Sequence, residues 1–243
     1  MLFKLLRMIE QKATIAQGKG YGTSTVKQEV KFIHSLLEAP PRLAIDIGGN
    51  IGDYAFELRN LDKTLEIHIF EPSLTNVDKL ARRFSGDNYT KIIPLAVSNK
   101  TGSAILFANV PGSGLGSMTK RNLEHFNISF EHSETIETIR FEEYWKNQLH
   151  GRDIDIIKMD VEGHELLALE SFGDAIYSTK VIQFEFGGCN IDSRTYFQDF
   201  WYFFKRHAFE LYRISPFGLE RIEQYREMDE HFSTTNYIAR NTK

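Results

Sequence analysis

The chain has 243 residues, 13% of them aromatic, and 29 lysines and arginines against 33 acids give it a formal net charge of −4. That length suits one α/β unit with additions, and the near-balance of charge argues against a nucleic-acid surface or a strongly anionic substrate. A single cysteine, Cys189, excludes a disulfide framework and a thiolate metal cluster and points to a reducing compartment, the cytoplasm.

Residues 1–41 read as an N-terminal helical extension. Met1 to Ile9 resembles the start of a signal sequence, but Lys4 and Arg7 interrupt its apolar run and no small-residue cleavage site follows. An amphipathic docking helix or a membrane-surface anchor remains; no run in the chain reaches the roughly 18 apolar residues needed to span a bilayer. A glycine-rich joint at 17–22 leads to a second helix. There Thr25 and Gln28 form a candidate cap, and Val26, Val30, Ile33 and Leu37 share a face, until Pro40 and Pro41 end it. This region is expected to flank or cover a pocket.

Over residues 42–243 strands and helices alternate, predicting an α/β domain: a doubly wound, mostly parallel, Rossmann-like sheet of seven strands that closes in an antiparallel hairpin. The first strand, Leu43 to Ile47, runs into a turn and helix carrying Asp46, Gly48, Asn50, Gly52 and Tyr54. Glycines let a ligand approach the backbone, and the helix start presents free N–H groups. The spacing is D-x-G-x-N-x-G, not the pyrophosphate-binding G-x-G-x-x-G. An acid two residues before the first glycine suits a cofactor bearing an ammonium group, which points to S-adenosylmethionine. The second strand, 66–71, ends at Glu71-Pro72, placing a carboxylate where a ribose is usually held.

A third strand, 91–97, should bring the backbone of Ala96 to 99 near the cofactor's base. Strands at 103–109 and 134–139 flank a stretch rich in glycine and serine at 111–118, either a mobile loop over the site or a solvated surface loop. A short helix at 141–149 precedes a strand at 154–160 and the densest ionisable cluster, Lys158-Met-Asp160-Val-Glu162-Gly-His164-Glu165. Crowding at a strand end shifts pKa values and suits acid–base work. Another strand at 180–186, an aromatic helix capped by Ser193, and strands at 210–214 and 234–240 complete the chain.

With these motifs together, the chain resembles the FkbM family of S-adenosylmethionine-dependent methyltransferases over about residues 42–186. The resemblance rests on Asp46-Ile-Gly-Gly-Asn-Ile-Gly52, Phe70-Glu-Pro72, Leu95-Ala-Val-Ser98 and Ile157-Lys-Met-Asp-Val-Glu-Gly-His-Glu165. It implies a class I methyltransferase-like fold and O-methylation of a small hydroxylated acceptor, a sugar or glycan precursor among the candidates. One departure is Arg140, where relatives commonly carry an acid.

Candidate catalytic residues are Asp160, Glu162 and His164, any of which could take the acceptor's proton. His164 could instead face solvent at a helix start, and Glu162 could accept helical N–H groups. Candidate cofactor-binding residues are Asp46, Gly48, Asn50, Gly52, Tyr54, Glu71, Pro72, Ala96 and Asp160. No metal is expected, although Asp160 with Glu185 could hold Mg²⁺. A nicotinamide-dependent oxidoreductase of the short-chain type would need a Tyr and a Lys four apart, and Tyr144, Tyr177 and Tyr202 have Gln148, Val181 and Arg206 there. A binding module without chemistry is the remaining alternative.

Overall fold

The computed structural model describes residues 1–22 and 25–243. In chain order its elements are α1 (Leu2–Ala16), α2 (Val26–Ser35), β1 (Leu43–Ile47), α3 (Asp53–Leu61), β2 (Glu66–Phe70), α4 (Leu74–Arg83), β3 (Thr90–Ile93), β4 (Ala96–Val97), β5 (Gly102–Ala108) and β6 (His132–Ile139). There follow α5 (Phe141–Asn147), β7 (Ile154–Met159), α6 (Glu165–Glu170), β8 (Thr179–Phe186), α7 (Cys189–Ser193), α8 (Phe197–Arg206), β9 (Phe209–Ser215), β10 (Gly218–Ile222) and β11 (Thr235–Asn241).

The main sheet has the order β10-β9-β11-β8-β7-β1-β2-β3. Its five central strands, β3 to β8 in that order, are parallel, and β11, β9 and β10 run antiparallel to their neighbours. The chain winds outward from β1 to β3 and returns to β7 on the other side of β1. That reversal opens a crevice beyond the carboxyl ends of β1 and β7, the usual ligand position in open α/β sheets.

Alternation along each strand separates two apolar layers. Leu43, Ile45 and Ile47 of β1, with Ile157, Met159, Ile182 and Phe184, pack under α5, α6 and α8. The opposite face carries Ala44, Ile67, Ile69, Ile156 and Val181 beneath α2, α3 and α4. Val30 and Ile33 fill this second layer, so α2 belongs to the core of the domain rather than to a detached extension. Among the α-helices only α1 has no buried residue.

Four expectations need correction. The strand foreseen at 91–97 is two strands, because the chain turns at Pro94 and the Leu95 N–H bonds to the Ile93 carbonyl at 2.8 Å instead of to β2. Ala96–Val97 pairs instead with β6 in a separate sheet of order β4-β6-β5. The main sheet has eight strands rather than seven, since the long connection before β11 contains β10, whose largely exposed residues give little apolar alternation. Thr25 stands at the N-cap of α2 but its hydroxyl donates to Glu29, while Gln28 accepts from the Tyr21 hydroxyl. The aromatic helix α8 starts at Tyr196, not Ser193, with Glu230 accepting from the Phe197 and Gln198 N–H groups at 2.8 and 2.9 Å.

Asp155, buried at the start of β7, fixes the sheet's amino edge. Its Oδ2 accepts the N–H groups of Arg42 and Leu43 at 2.7 and 3.1 Å, and its Oδ1 lies 2.6 Å from Lys180 Nζ. Although burial opposes its charge, these partners hold its carboxyl below the ordinary range. Such a depressed acid adds stability above its unfolded pKa that is lost as pH falls through the folded value. Asp155→Ala should cost about 1–3 kcal/mol from the two orphaned donors and flatten the acid limb of a denaturant-derived stability profile; an unchanged acid limb would assign that limb to other carboxylates.

Candidate functional site

The crevice at the switch point is a cavity whose wall takes Gly48 and Asn50 from the turn after β1, Glu71 and Pro72 after β2, and Ala96 from β4. Lys158, Asp160 and Glu162 come from the end of β7, and Glu185 from β8. The turn that follows β1 is shaped by close approach. Gly48 has φ +82°, and a side chain there would overlap the Asp160 carbonyl oxygen; one at Gly49 would overlap Ile69. Glycine is required so that the turn can pass between β2 and β7.

Glu71 ties that turn to the next strand. Its Oε2 accepts the Asn50 N–H at 2.8 Å and its Oε1 the Ser73 N–H at 2.9 Å. Asn50, itself at φ 47°, accepts at Oδ1 from Asn76 Nδ2 at 3.0 Å. Each Glu71 oxygen keeps a lone pair for a further donor. Burial pushes this carboxyl up to about 7, against the backbone donors that favour its ionised form. Ser73 stands at the N-cap of α4, yet its buried Oγ has no partner.

Below the turn lies a row of polar side chains on the α2–α3 face of the sheet. Asp46 of β1 pairs in register with Lys158 of β7, which pairs with Gln183 of β8. Lys158 Nζ lies 3.3 Å from Asp160 Oδ2 and 3.8 Å from Asp46 Oδ1, over the Tyr54 ring at 5.6 Å from its centroid. Desolvation would lower the lysine's pKa, but Asp160 and Asp46 hold it above the ordinary range. Asp46 is 0% exposed, and its two oxygens have no hydrogen-bond partner among the described residues. Burial raises its pKa, opposed by Lys158. The Tyr54 hydroxyl donates to Gln183 Oε1 at 2.9 Å, and Gln183 Nε2 donates to Glu29 at 2.6 Å.

The acidic end gathers Asp160, Glu162 and Glu185. Glu162 sits at φ 52° and is ion-paired to Arg121, which also lies 3.6 Å from Asp192. Burial, then the charge of Asp160, pushes Glu162 up to about 8. Glu185 is raised well above the carboxylate range by burial and by Asp160 and Glu162. Glu165 takes the role considered for Glu162: it accepts from the Val161 N–H at 2.8 Å and from the Gly163 N–H, closing the loop before α6.

Of the residues singled out from the sequence, the cavity brings together Gly48, Asn50, Tyr54, Glu71, Pro72, Ala96, Asp160 and Glu162. Three lie outside its wall. Asp46 is beneath it, facing Lys158. Gly52, at φ +86°, faces Leu80 and Phe84 and lets α3 approach α4. His164 is the buried N-cap of α6, with Nε2 2.9 Å from Ser98 Oγ, and burial lowers its pKa to about 4. Gly112, Ser113, Gly114, Gly116 and Met118 do form cavity wall, so the loop at 111–118 belongs to the site. Arg140 bonds to the Asn99 carbonyl and takes no part in the cavity wall.

The N-terminal region expected to flank a pocket does so through Gly22 and through Val26 and Glu29 of α2, whereas Glu134 of β6 and Asn236 of β11 were not foreseen. Glu29 had a signal, since it falls in the apolar stripe of Val26, Val30 and Ile33 where a solvated acid would not belong. Asn236 had none; its role depends on β11 entering the sheet beside β8.

S-Adenosylmethionine fits these residues. The cationic donor meets an acid-lined wall, Glu71 has acceptor capacity for ribose hydroxyls, and the glycine turn permits close backbone approach. Residues 46–211 match the sequence model of the Methyltransferase FkbM domain. The 2-O-methyltransferase NoeI of Sinorhizobium fredii is 24% identical over 191 residues, 75% of this chain and 78% of that protein. Among solved structures, an rRNA methylase from Streptococcus thermophilus aligns with TM-score 0.48 and 12% identity, covering 89% of this chain and 95% of that one. The plantazolicin methyltransferase BamL, solved with a triazolic desmethylPZN analogue and SAH, aligns with TM-score 0.49 and 10% identity, covering 98% of this chain and 89% of that one. The matched span holds the glycine turn, Glu71 and the acidic end of β7, and the chain belongs to the FkbM methyltransferase family, the S-adenosylmethionine-dependent enzymes that its motifs and crevice describe.

Proposed function

We propose that this methyltransferase acts on a hydroxyl of a small, uncharged acceptor such as a sugar or glycan precursor. The observation that carries this reading is the charge of the cavity wall. Among the described residues it holds seven acids, Glu29, Asp53, Glu71, Glu134, Asp160, Glu162 and Glu185, of which burial makes Glu29, Glu71, Glu162 and Glu185 harder to ionise than usual, and one cation, Lys158, whose ammonium is already engaged by Asp160 and Asp46. Such a wall favours a cationic donor and disfavours an acceptor bearing phosphate, a nucleic-acid backbone included. The 2-O-methyl transfer named for NoeI supports a hydroxyl acceptor.

S-Adenosylmethionine supplies a methyl group on a positively charged sulfur. Glu71 would hold the ribose hydroxyls with its spare lone pairs, while Gly48 and Asn50 admit the ligand to the backbone. Asp160 or Glu162 would take the proton of the acceptor hydroxyl, a role supported by their place on the cavity wall, and Arg121 is ion-paired to Glu162. Much of the rate then comes from holding oxygen, methyl and sulfur in line. His164 lies outside this arrangement; its bond to Ser98 anchors the start of α6 to the segment after β4, a positioning role. No helix among the described residues is long and apolar enough to cross a membrane. A cytoplasmic location accords with the donor and with the buried, free thiol of Cys189.

The reading is tested by S-adenosylhomocysteine formation with matched acceptors: neutral sugars should turn over and their phosphorylated counterparts should not, and the reverse preference would overturn it. Glu71→Ala should weaken S-adenosylmethionine binding by about 1.5–3 kcal/mol, roughly ten- to hundredfold, by calorimetry. Unchanged affinity would remove Glu71 from the ribose contact.

Binding should also release protons. Glu71 has a pKa of about 7 when free, and hydroxyl donors and a nearby cation favour its charged form, so its pKa falls and protons leave below about pH 7. The binding enthalpy near pH 6.5 should therefore vary with buffer ionisation enthalpy. For the acceptor end, Glu162→Gln should lower kcat by about 10²–10⁴ and remove a rise in rate through pH 8; a retained rise would exclude Glu162 as the proton acceptor.

A further inference from the structure

Among the α-helices of the described chain α1 alone has no buried residue, and it has an apolar stripe along one side. Leu2, Leu5, Leu6, Ile9, Ala13 and Ala16 recur at the spacing that places them on one face. Of the 22 large apolar side chains exposed among the described residues, eight lie between Met1 and Ile15, with Phe3 77% and Leu2 64% exposed. Scattered singly such residues would mean little; concentrated on one projecting helix they mark a surface that binds something.

Charge decides what. The helix carries Lys4, Arg7 and Lys12 against a single acid, Glu10, while the chain as a whole is net negative at −4. Lys4 and Arg7 stand on the side opposite the apolar stripe and Lys12 at its margin, the distribution of a helix lying in the plane of a lipid surface with its apolar side in the acyl boundary. Anionic headgroups complement these three cations, which a chain of net charge −4 gathers on this one helix. The helix leaves the body at Gln17–Gly18, where Gly18 at φ +87° packs on the Ile214 carbonyl and Lys19 bonds the Met228 carbonyl and lies 3.9 Å from Asp229. The body is thus anchored right behind the helix, and the apolar face of α1 is left outside the fold.

We propose that α1 docks this protein on an anionic lipid surface as an in-plane helix. The proposal needs no assumption about the methyl acceptor, because the test reads binding and not turnover.

The test is cosedimentation of the full chain with phosphatidylcholine vesicles containing or lacking phosphatidylglycerol. Binding should require the anionic lipid, weaken with added salt, and drop about fivefold for each cation removed in Lys4→Ala, Arg7→Ala and Lys12→Ala, the effect of about 1 kcal/mol per charge near such a surface. Leu5→Glu with Ile9→Glu should abolish binding, and because no α1 residue is buried the variant should keep the parent's near-ultraviolet circular dichroism and thermal midpoint. Absence of binding, or equal binding to neutral vesicles, would overturn the proposal. So would sedimentation showing a dimer that the same double substitution dissolves, which would assign the face to a second copy.

Discussion

The structure depends on a lysine ammonium held between two aspartates at the carboxyl end of a parallel sheet. Lys158 and Asp46 are opposite one another on adjacent strands, and Asp160 extends the row upward into the cavity. Isolated charges so far from water would be costly, and removing one partner of a buried pair typically costs about 3–5 kcal/mol. Here the register of β1 against β7 brings the charges together, and a one-residue slip would separate them and turn Asp46 into the apolar layer under α6 and α8. The row therefore fixes the register of the two strands between which the crevice opens. It also uses the lysine's charge internally, leaving the cavity wall dominated by acids.

Built on that register is the link between turn and second strand. The Asn50 N–H bonds to Glu71, so the two sequence features expected to bind the donor are one structural unit. The acid that would receive the ribose also holds the turn in place before any ligand arrives. Its raised pKa follows from burial, and so does that of Glu162 at the opposite end of the wall. Carboxyl groups with such raised values add stability at pH below their ordinary range and lose it as pH rises through about 7 to 8. A cation bound beside these carboxyls would favour their ionised forms and lower both values.

Much of this was legible in the sequence because it is local. The glycine turn, the acid after the second strand and the ionisable cluster after β7 each occupy a few consecutive residues, and most of them reach the cavity. What could not be read depends on contacts between distant parts of the chain. Whether His164 faces the site or the packed interior turns on Ser98, some sixty residues earlier. The split of the strand at Pro94 and the pairing of Ala96–Val97 with β6 follow from a second sheet that no single segment announces. Gly52 looked like a ligand contact because it shares a motif with Gly48, but its open side receives Leu80 and Phe84.

The floor of the cavity has one further feature. Glu29, which precedes the residues that match the family domain, accepts a hydrogen bond from Asn236, which follows them, at 3.0 Å. The two flanks of the shared domain meet beneath the site and are joined there through Gln183 to its central strands. The stretch that matches the family therefore builds only part of the wall, and the rest is contributed from outside it. A substitution in either flank would reshape that floor and leave the glycine turn, Glu71 and the end of β7 in place.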